Sequence, residues 1–420
     1  MRRPGVRRLA LIVGLALATA AQAAGAAPLA IVHAQAWTGQ AAEPIADATI
    51  VVDAGKIVSV ASKGPPPAGA TVIDAAGHPV TAGLVNAAAQ LGLTEITSAQ
   101  DTRDLAAAGE ALGPAFDVTL GLNANSTLVE LARADGVTRA LSFPAASGAA
   151  PFSGLAATIR LREGPDIVDH ARAALFVVIG GSAWPRAAGS RGAQWALLRA
   201  ALDDARAPAP ATPRPAAREA QSAALRDVLA GRLPLAILTH RESDIRQAIR
   251  LASDYAVRVV IVGGGEAWRA APALAAARIP VVLDPDANLP YTFDELGARQ
   301  TNAAILAKAG VMVAFGLAGG RLEQNYNAGL ALREAAGIAV SNGLSYAEAL
   351  RAVTVNPIAI WRRGEPAGLI APGQDADLVV WDGDPLEPST NATAVIVEGK
   401  SVSLETRQDL LARRYLPPGR

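Results

Sequence analysis

Not one cysteine occurs in the 420 residues. Thiolate catalysis, zinc–thiolate centres and a disulfide scaffold are therefore excluded, and burial must hold the fold together. Lysine is nearly as scarce, found only at Lys56, Lys63, Lys308 and Lys400, and there are four histidines, His33, His78, His170 and His240. Any chemistry that needs several imidazoles or an active-site amine has few places to be. Charged residues make up 18% against 51% hydrophobic, enough apolar surface for a packed interior throughout. Formal charge is zero, which removes the electrostatic case for a nucleic-acid partner.

What charge there is lies unevenly at the start. Arg2, Arg3, Arg7 and Arg8 precede the apolar run "LALIVGLALATA" and the small residues "AQAAGAAP". A basic segment, an apolar segment and an A-x-A site predict a signal peptide over residues 1–26, cut after Ala23 or Ala26, and a secreted or periplasmic protein. The run is shorter than the ~20 residues that span a bilayer, and no later run is longer, so the mature chain is expected to carry no membrane span. Its balance would be 34 basic to 38 acidic residues.

Two distant stretches share one grammar. "ATIVVDAGKIVSVAS" alternates apolar residues and turns at Asp53-Ala54-Gly55; "ADLVVWDGDPLEPSTNATAVIVEGKSVSL" turns at Gly383-Asp384 and Glu398-Gly399. Residues 28–79 and 365–405 are accordingly read as one small β-sandwich built from both chain ends, with 406–420 as a tail holding a short helix. Between them, over 80–364, short apolar runs alternate with helical stretches. The runs fall at 78–88, 136–144, 154–161, 173–180, 233–240, 257–265, 279–284 and 311–316. Eight such runs predict an α/β fold, a (β/α)8 TIM-type barrel. The clearest helix follows "LPLAILTH", where Ile245, Ala248, Ile249, Ala252 and Ala256 form one stripe. Residues 204–221, rich in Pro and Ala, read as a surface excursion, and 94–130 as a long loop over the barrel's functional face.

The segment "GLIAPGQDADLVVWDGDP", with Gly368, Ile370, Pro372, Gly373, Ala376, Asp377 and Leu378, resembles the closing signature of the amidohydrolase superfamily, its imidazolonepropionase-like branch in particular. "ALRAVTVNP" and "VIDAAGHPVTAGLVNA" are similar to the helix before that signature and to the entry into the first barrel strand. The resemblance implies a metal centre at the C-terminal strand ends: an H-x-H pair on the first strand, often a lysine on the fourth, histidines on the fifth and sixth, and an aspartate on the eighth. Such a metal lowers the pKa of bound water from about 15.7 to about 7, giving a hydroxide that attacks C–N bonds.

At those positions this chain departs from the pattern. Ala88 and Gln90 stand in place of H-x-H, no lysine lies on the fourth run, and the sixth ends in "VIVGGG". No aspartate occurs between Asp294 and Asp375, so the eighth run lacks one too; only His240 matches a ligand position. A catalytic zinc normally takes three protein ligands. The expectation is a degenerate site without a cofactor, in a non-catalytic protein that binds a small-molecule ligand or partners a second copy or an active relative. The alternative is a hydrolase of non-peptide C–N bonds, either metal-free or with one divalent metal, zinc, on His240 and a carboxylate.

His240 could act as a general base with Asp284 or Glu242, or simply be hydrogen-bonded at the barrel rim. Asn86, Ala88, Gln90, Glu242, Glu266, Asp284, Asn288 and Arg299 are the residues expected around a pocket there. "VGGGEAW" could cradle an anion, although it lacks the G-x-G-x-x-G and P-loop patterns. The loop 284–302 could hold substrate groups through Asp284, Asn288, Tyr291, Asp294 and Arg299, or Asp294 could serve a helix N-terminus. "NST" at 125–127 and "NAT" at 391–393 fit the N-glycosylation pattern.

Overall fold

A computed structural model of the chain describes residues 27–109, 111–146, 151–181, 189–208, 213–290, 292–316 and 326–416. The predicted signal peptide, Tyr291 and the residues just beyond the eighth barrel strand lie outside them. Among the described residues, no helix is long and apolar enough to cross a membrane.

The chain opens with five strands, β1 (Leu29–Trp37), β2 (Ile45–Asp53), β3 (Lys56–Ser62), β4 (Thr71–Asp74) and β5 (Pro79–Ala82). The β2–β3 hairpin turns where the alternation breaks. Ala54 and Gly55 both take positive φ (48° and 78°), the geometry a two-residue hairpin needs. Eight barrel strands follow: β6 (Leu84–Ala89), β7 (Val137–Ser142), β8 (Phe152–Arg160), β9 (Val168–Val178), β10 (Leu235–Thr239), β11 (Val259–Gly263), β12 (Val281–Leu283) and β13 (Val313–Phe315). The chain then returns through β14 (Leu378–Trp381), β15 (Ala392–Val397) and β16 (Lys400–Ser401), the last two joined at Glu398-Gly399.

Both chain ends share one unit, whose strands pair as one eight-stranded sheet. Its order is β16-β15-β14-β5-β1-β2-β3, with β4 also on β1. Strand β1 carries a bulge between Ile31 and Ala34, where His33 takes φ 51°. Before the bulge β1 pairs with β4, and after it with β5. A bulge bends a strand and increases its twist. The bent sheet encloses one core of Ile31, Ile50, Ile57, Val80, Ile370, Leu378 and Ile396.

The second sheet runs β6 to β13 in chain order. It is nearly closed: a Cβ on Gly316, just past β13, would lie 2.3 Å from the Ala88 nitrogen of β6. The expected run of eight parallel βα units needs correcting at its second to fourth strands. Strand β8 is antiparallel to both β7 and β9, so these three form a meander, while β9 to β13 are parallel. The reason is chain length. Only residues 143–151 and 161–167 link these strands, and a parallel crossover needs a dozen or more.

Helices cover the outside: α1 (Thr127–Ala134), α2 (Arg191–Arg206), α3 (Ala216–Leu229), α4 (Glu242–Tyr255), α5 (Ala271–Ala277) and α6 (Asn302–Lys308), then, among the described residues, three more before β14. Helix α4 buries Ile245, Ala248, Leu251 and Tyr255; Ala256, expected on that stripe, is instead its left-handed C-cap. The Pro/Ala-rich stretch 204–221 joins α2 to α3, and α3 takes up its last residues. Inside the barrel, small residues (Ala87, Ala88, Ala156, Ala174, Ala236, Ala314) leave space that aromatics fill. Phe143 stacks on Phe176 at 4.9 Å, Phe176 leans on Trp361 at 6.1 Å, and the Trp361 indole donates to the Ala87 carbonyl at 2.9 Å.

Sheet and barrel meet through buried ions. Arg139 of β7 donates through Nε to Asp377 (2.8 Å) and through Nη2 to Asp375; Arg160 of β8 reaches Asp375 (2.6 Å) and Glu398. Lys56 closes on Asp375 from β3 at 2.5 Å, and Asp377 also accepts the Glu398 amide at 2.8 Å. Burial drives the Asp377 carboxyl up to about 6 despite Arg160, with Asp375 and Asp169 adding to the rise. The Asp375 and Asp377 of the closing signature are thus structural ties. Removing one member of a buried ion pair strands its partner, so Asp377→Ala should lose about 3–5 kcal/mol in urea unfolding; a loss under about 1 kcal/mol would show that the cluster is not a tie.

Candidate functional site

The C-terminal ends of β6, β7, β9, β10, β11 and β12 open into a cleft of about 970 Å³. Its apolar floor is formed by Phe143, Phe176, Val178 and Leu238, and its polar groups include Gln90, Arg103, Arg191, His240, Arg241, Asp284, Asn288, Asp294 and Glu295. The segment 94–130, three 3₁₀ turns leading to α1, contributes Thr97, Arg103 and Leu105 to one wall.

His240 follows β10 directly, and the side chain is 25% exposed. Its ring lies against Gly263, where a Cβ would come within 2.8 Å of Cε1. Its Nδ1 is 3.6 Å from Glu295 Oε1. Burial holds the His240 pKa below the ordinary histidine value, outweighing the pull of Glu295 and Asp294, so the imidazole is neutral near pH 7. A neutral, carboxylate-backed imidazole facing a cleft can accept a proton.

Glu295 arrives there through a local device. Thr292 caps the turn Phe293–Glu295, and Glu295 Oε2 answers by accepting the Thr292 amide at 3.2 Å, a capping box. Asp294 staples the same turn across the cleft mouth. It accepts the Gly181 amide (2.6 Å) and pairs with Arg191 and with Arg241 Nε (3.3 Å). Burial alone would raise its pKa, but Gly181, Arg191 and Arg241 together hold it below the aspartate range. Arg191 also meets Asp244 at 3.2 Å, and Asp244 accepts the Trp195 indole at 3.1 Å. A side chain at Gly180 would sit 2.8 Å from Asp294, so this strand end must be glycine.

Of the residues expected around the pocket, Gln90, His240, Asp284 and Asn288 line the cleft. Asn288 is 2% exposed; it accepts from Asn302 at 3.3 Å, and its own Nδ2 has no partner among the described residues. The other five do not line it. Asn86 and Ala88 are fully buried in β6, where the Asn86 carbonyl oxygen accepts the Ala88 amide at 3.2 Å. Glu242 turns to Arg246 along its own helix. Glu266 clips the amides of Glu242 (2.9 Å) and Gly297 (3.1 Å). Arg299 stacks on Trp268 at 4.7 Å. Sequence reasoning offered Asp284 or Glu242 as the partner of His240; the carboxylate beside it is Glu295, signalled only by the T-x-x-E spacing. The anion cradle expected in "VGGGEAW" is largely spent, because the amides of Gly264, Glu266 and Ala267 bond to Thr239, His240 and Gly264 carbonyls.

The donor set does not suit a family-type metal. Ala88 lies in the barrel's interior cluster with the Gly316 backbone against it, and the cleft floor is aromatic. Among the described residues, no three His, Asp or Glu side chains converge as metal ligands. His240 and Glu295 are one imidazole and one carboxylate, short of the three protein ligands a catalytic zinc takes.

Residues 270–402 match the model of the amidohydrolase family. The whole fold is similar to an amidohydrolase from Thermotoga maritima MSB8, at 23% identity and TM-score 0.80, over 89% of this chain and 99% of that one. A prolidase crystallised with N-methylphosphonate-L-proline is similar at 18% identity and TM-score 0.55, over 89% and 99% of the two chains. Molinate hydrolase is similar at 18% identity and TM-score 0.54, over 90% and 95%. No curated protein matches in sequence. At these identities the likeness is one of fold, and the site must be argued from its own residues.

His240 makes a pH prediction. Below about pH 6.5 the unfolded histidine takes up a proton that the folded, depressed one refuses, so stability falls as pH drops toward the folded value. In urea unfolding between about pH 7.5 and 5, His240→Gln should flatten the profile by up to about 1.4 kcal/mol per pH unit. Identical slopes in the two proteins would mean that His240 is not buried neutral.

Proposed function

We propose that this chain is an exported member of the amidohydrolase superfamily in which metal-dependent hydrolysis has given way to small-molecule binding. Superfamily membership is supported by the family match over residues 270–402 and by the fold. The observation that carries the loss of metal chemistry is the cleft floor. Where a hydroxide-generating centre needs convergent charged ligands, this cleft has Gln90, Phe143, Phe176 and a glycine, Gly263, under His240. A bare divalent ion on an apolar floor has nothing to replace its water shell. The same floor, with a buried Asn288 amide and a neutral His240 at its side, suits an uncharged or weakly polar body carrying an acceptor oxygen. Export rests on the four arginines, apolar run and A-x-A site of residues 1–26. A second copy or an active relative is the partner such a protein would serve.

A metal-free hydrolase is the second reading, and one geometry favours it: His240 Nδ1 stands 3.6 Å from Glu295 Oε1 at the cleft wall. There the imidazole would take a proton from an attacking water and Glu295 would steady the imidazolium. The prolidase and molinate hydrolase structures show that hydrolases share this fold.

Elemental mass spectrometry of the purified mature protein separates the readings from a metalloenzyme. Less than about 0.1 equivalent of zinc, iron or manganese is expected, even after incubation with those ions; about one equivalent would overturn the proposal. If the second reading holds, His240→Ala cuts turnover of a C–N substrate by about 10²–10⁴ with the fold intact.

A further inference from the structure

A cavity of about 870 Å³ lies at the other end of the barrel, where β11, β12 and β13 begin. Its walls are apolar, with Ile249 of α4, Leu274 of α5, and Ile279, Val311 and Met312 before the strands. Met312 is 44% exposed. Three arginines line the same space, Arg258, Arg278 and Arg363, and among the described residues no aspartate or glutamate does.

Many arginines of the molecule are paired with carboxylates. Arg199 has Asp254 at 2.8 Å, Arg172 has Asp227 at 2.9 Å, and Arg191 and Arg241 share Asp294. Arg258, Arg278 and Arg363 have no carboxylate partner among the described residues. Arg258 donates only a long bond, 3.4 Å, to the Ile360 carbonyl. Burial and the neighbouring Arg363 both work against its charge, with no carboxylate offsetting them. Asp254, next along α4 from the wall residue Ser253, is already engaged by Arg199. Arg258 is half-buried and Arg278 and Arg363 are exposed beside it, so an anion entering the hollow would meet three guanidiniums that are not already engaged by a carboxylate of the described residues.

We propose that this hollow binds an aliphatic carboxylate of the fatty-acid class, its head between Arg258, Arg278 and Arg363 and its chain along Leu274, Ile279, Val311 and Met312. The volume is that of a small-molecule pocket rather than a flat protein interface, and guanidinium forks match a carboxylate in charge and geometry. The proposal is independent of what occupies the cleft at the opposite end.

The test is isothermal titration of the mature protein with laurate. One laurate per chain is expected, with affinity falling as salt rises. The double variant Arg278→Glu/Arg363→Glu, altered at two exposed side chains, should bind at least about tenfold more weakly. Dodecyl maltoside, with the same chain and no charge, should neither bind here nor compete, and inorganic phosphate should bind far more weakly than laurate. His240→Ala should bind laurate as the unaltered protein does. Circular dichroism checks the fold of the double variant; should it unfold, Arg363→Gln alone is titrated, with several-fold weakening expected. No laurate binding, equal binding in the charge variants, equal binding of dodecyl maltoside, or loss of binding in His240→Ala would each overturn the assignment.

Discussion

Arg139 and Arg160 reach from neighbouring barrel strands into a nest of carboxylates supplied by the last part of the chain. Asp375 and Asp377 stand at the entry to β14, and Glu398 at the turn after β15. Each arginine, unpaired in that buried place, would cost several kcal/mol. The interaction therefore fixes how the sheet sits on the barrel, and with it the path by which β5 runs through Gly83 into β6. Gly83 has no room for a side chain, since a Cβ would be 2.2 Å from the Thr138 hydroxyl. The strand that leads to the cleft is aimed by this junction, although the junction and the cleft lie at different ends of β6 and β7.

The parts of the fold legible in the sequence were those with a local physical cause. The hairpin turns at Ala54-Gly55 and Glu398-Gly399 declare themselves because positive φ at paired positions needs particular residues. Helix α4 declares itself by its stripe. The meander β7-β8-β9 was hidden because short apolar runs carry no direction; the lengths of the links between them did carry it. The bend of the chain-end sheet was hidden because a bulge at His33 leaves no mark in the alternation. In the site, the position of His240 after the fifth apolar run was plain from the sequence, and the structure places it in the cleft. The Glu295 partner was not, because it comes from a turn after β12 that folds back across the mouth. Glu242 and Glu266 looked equally suitable in sequence, and only the fold shows their oxygens committed to Arg246 and to backbone amides.

The cleft at the C-terminal strand ends has an apolar floor beneath a charged rim. Its apolar floor continues the aromatic column of Phe143, Phe176 and Trp361 that fills an alanine-lined barrel. Several rim charges are spent on one another, Asp294 on Arg191 and Arg241, and Arg191 also on Asp244.

The pairing of β5 with β14 sets an order of assembly. The Trp381 indole meets the Thr81 hydroxyl across a separation of 300 residues, and Val80 faces Val380. As the chain is made, β1 to β5 emerge early and wait with one side of β5 unpaired until almost everything else exists. Contacts of such high order close slowly. During that interval the free border of β5 is open to strands of other chains. A nascent or C-terminally clipped chain thus carries an unpaired β edge at β5.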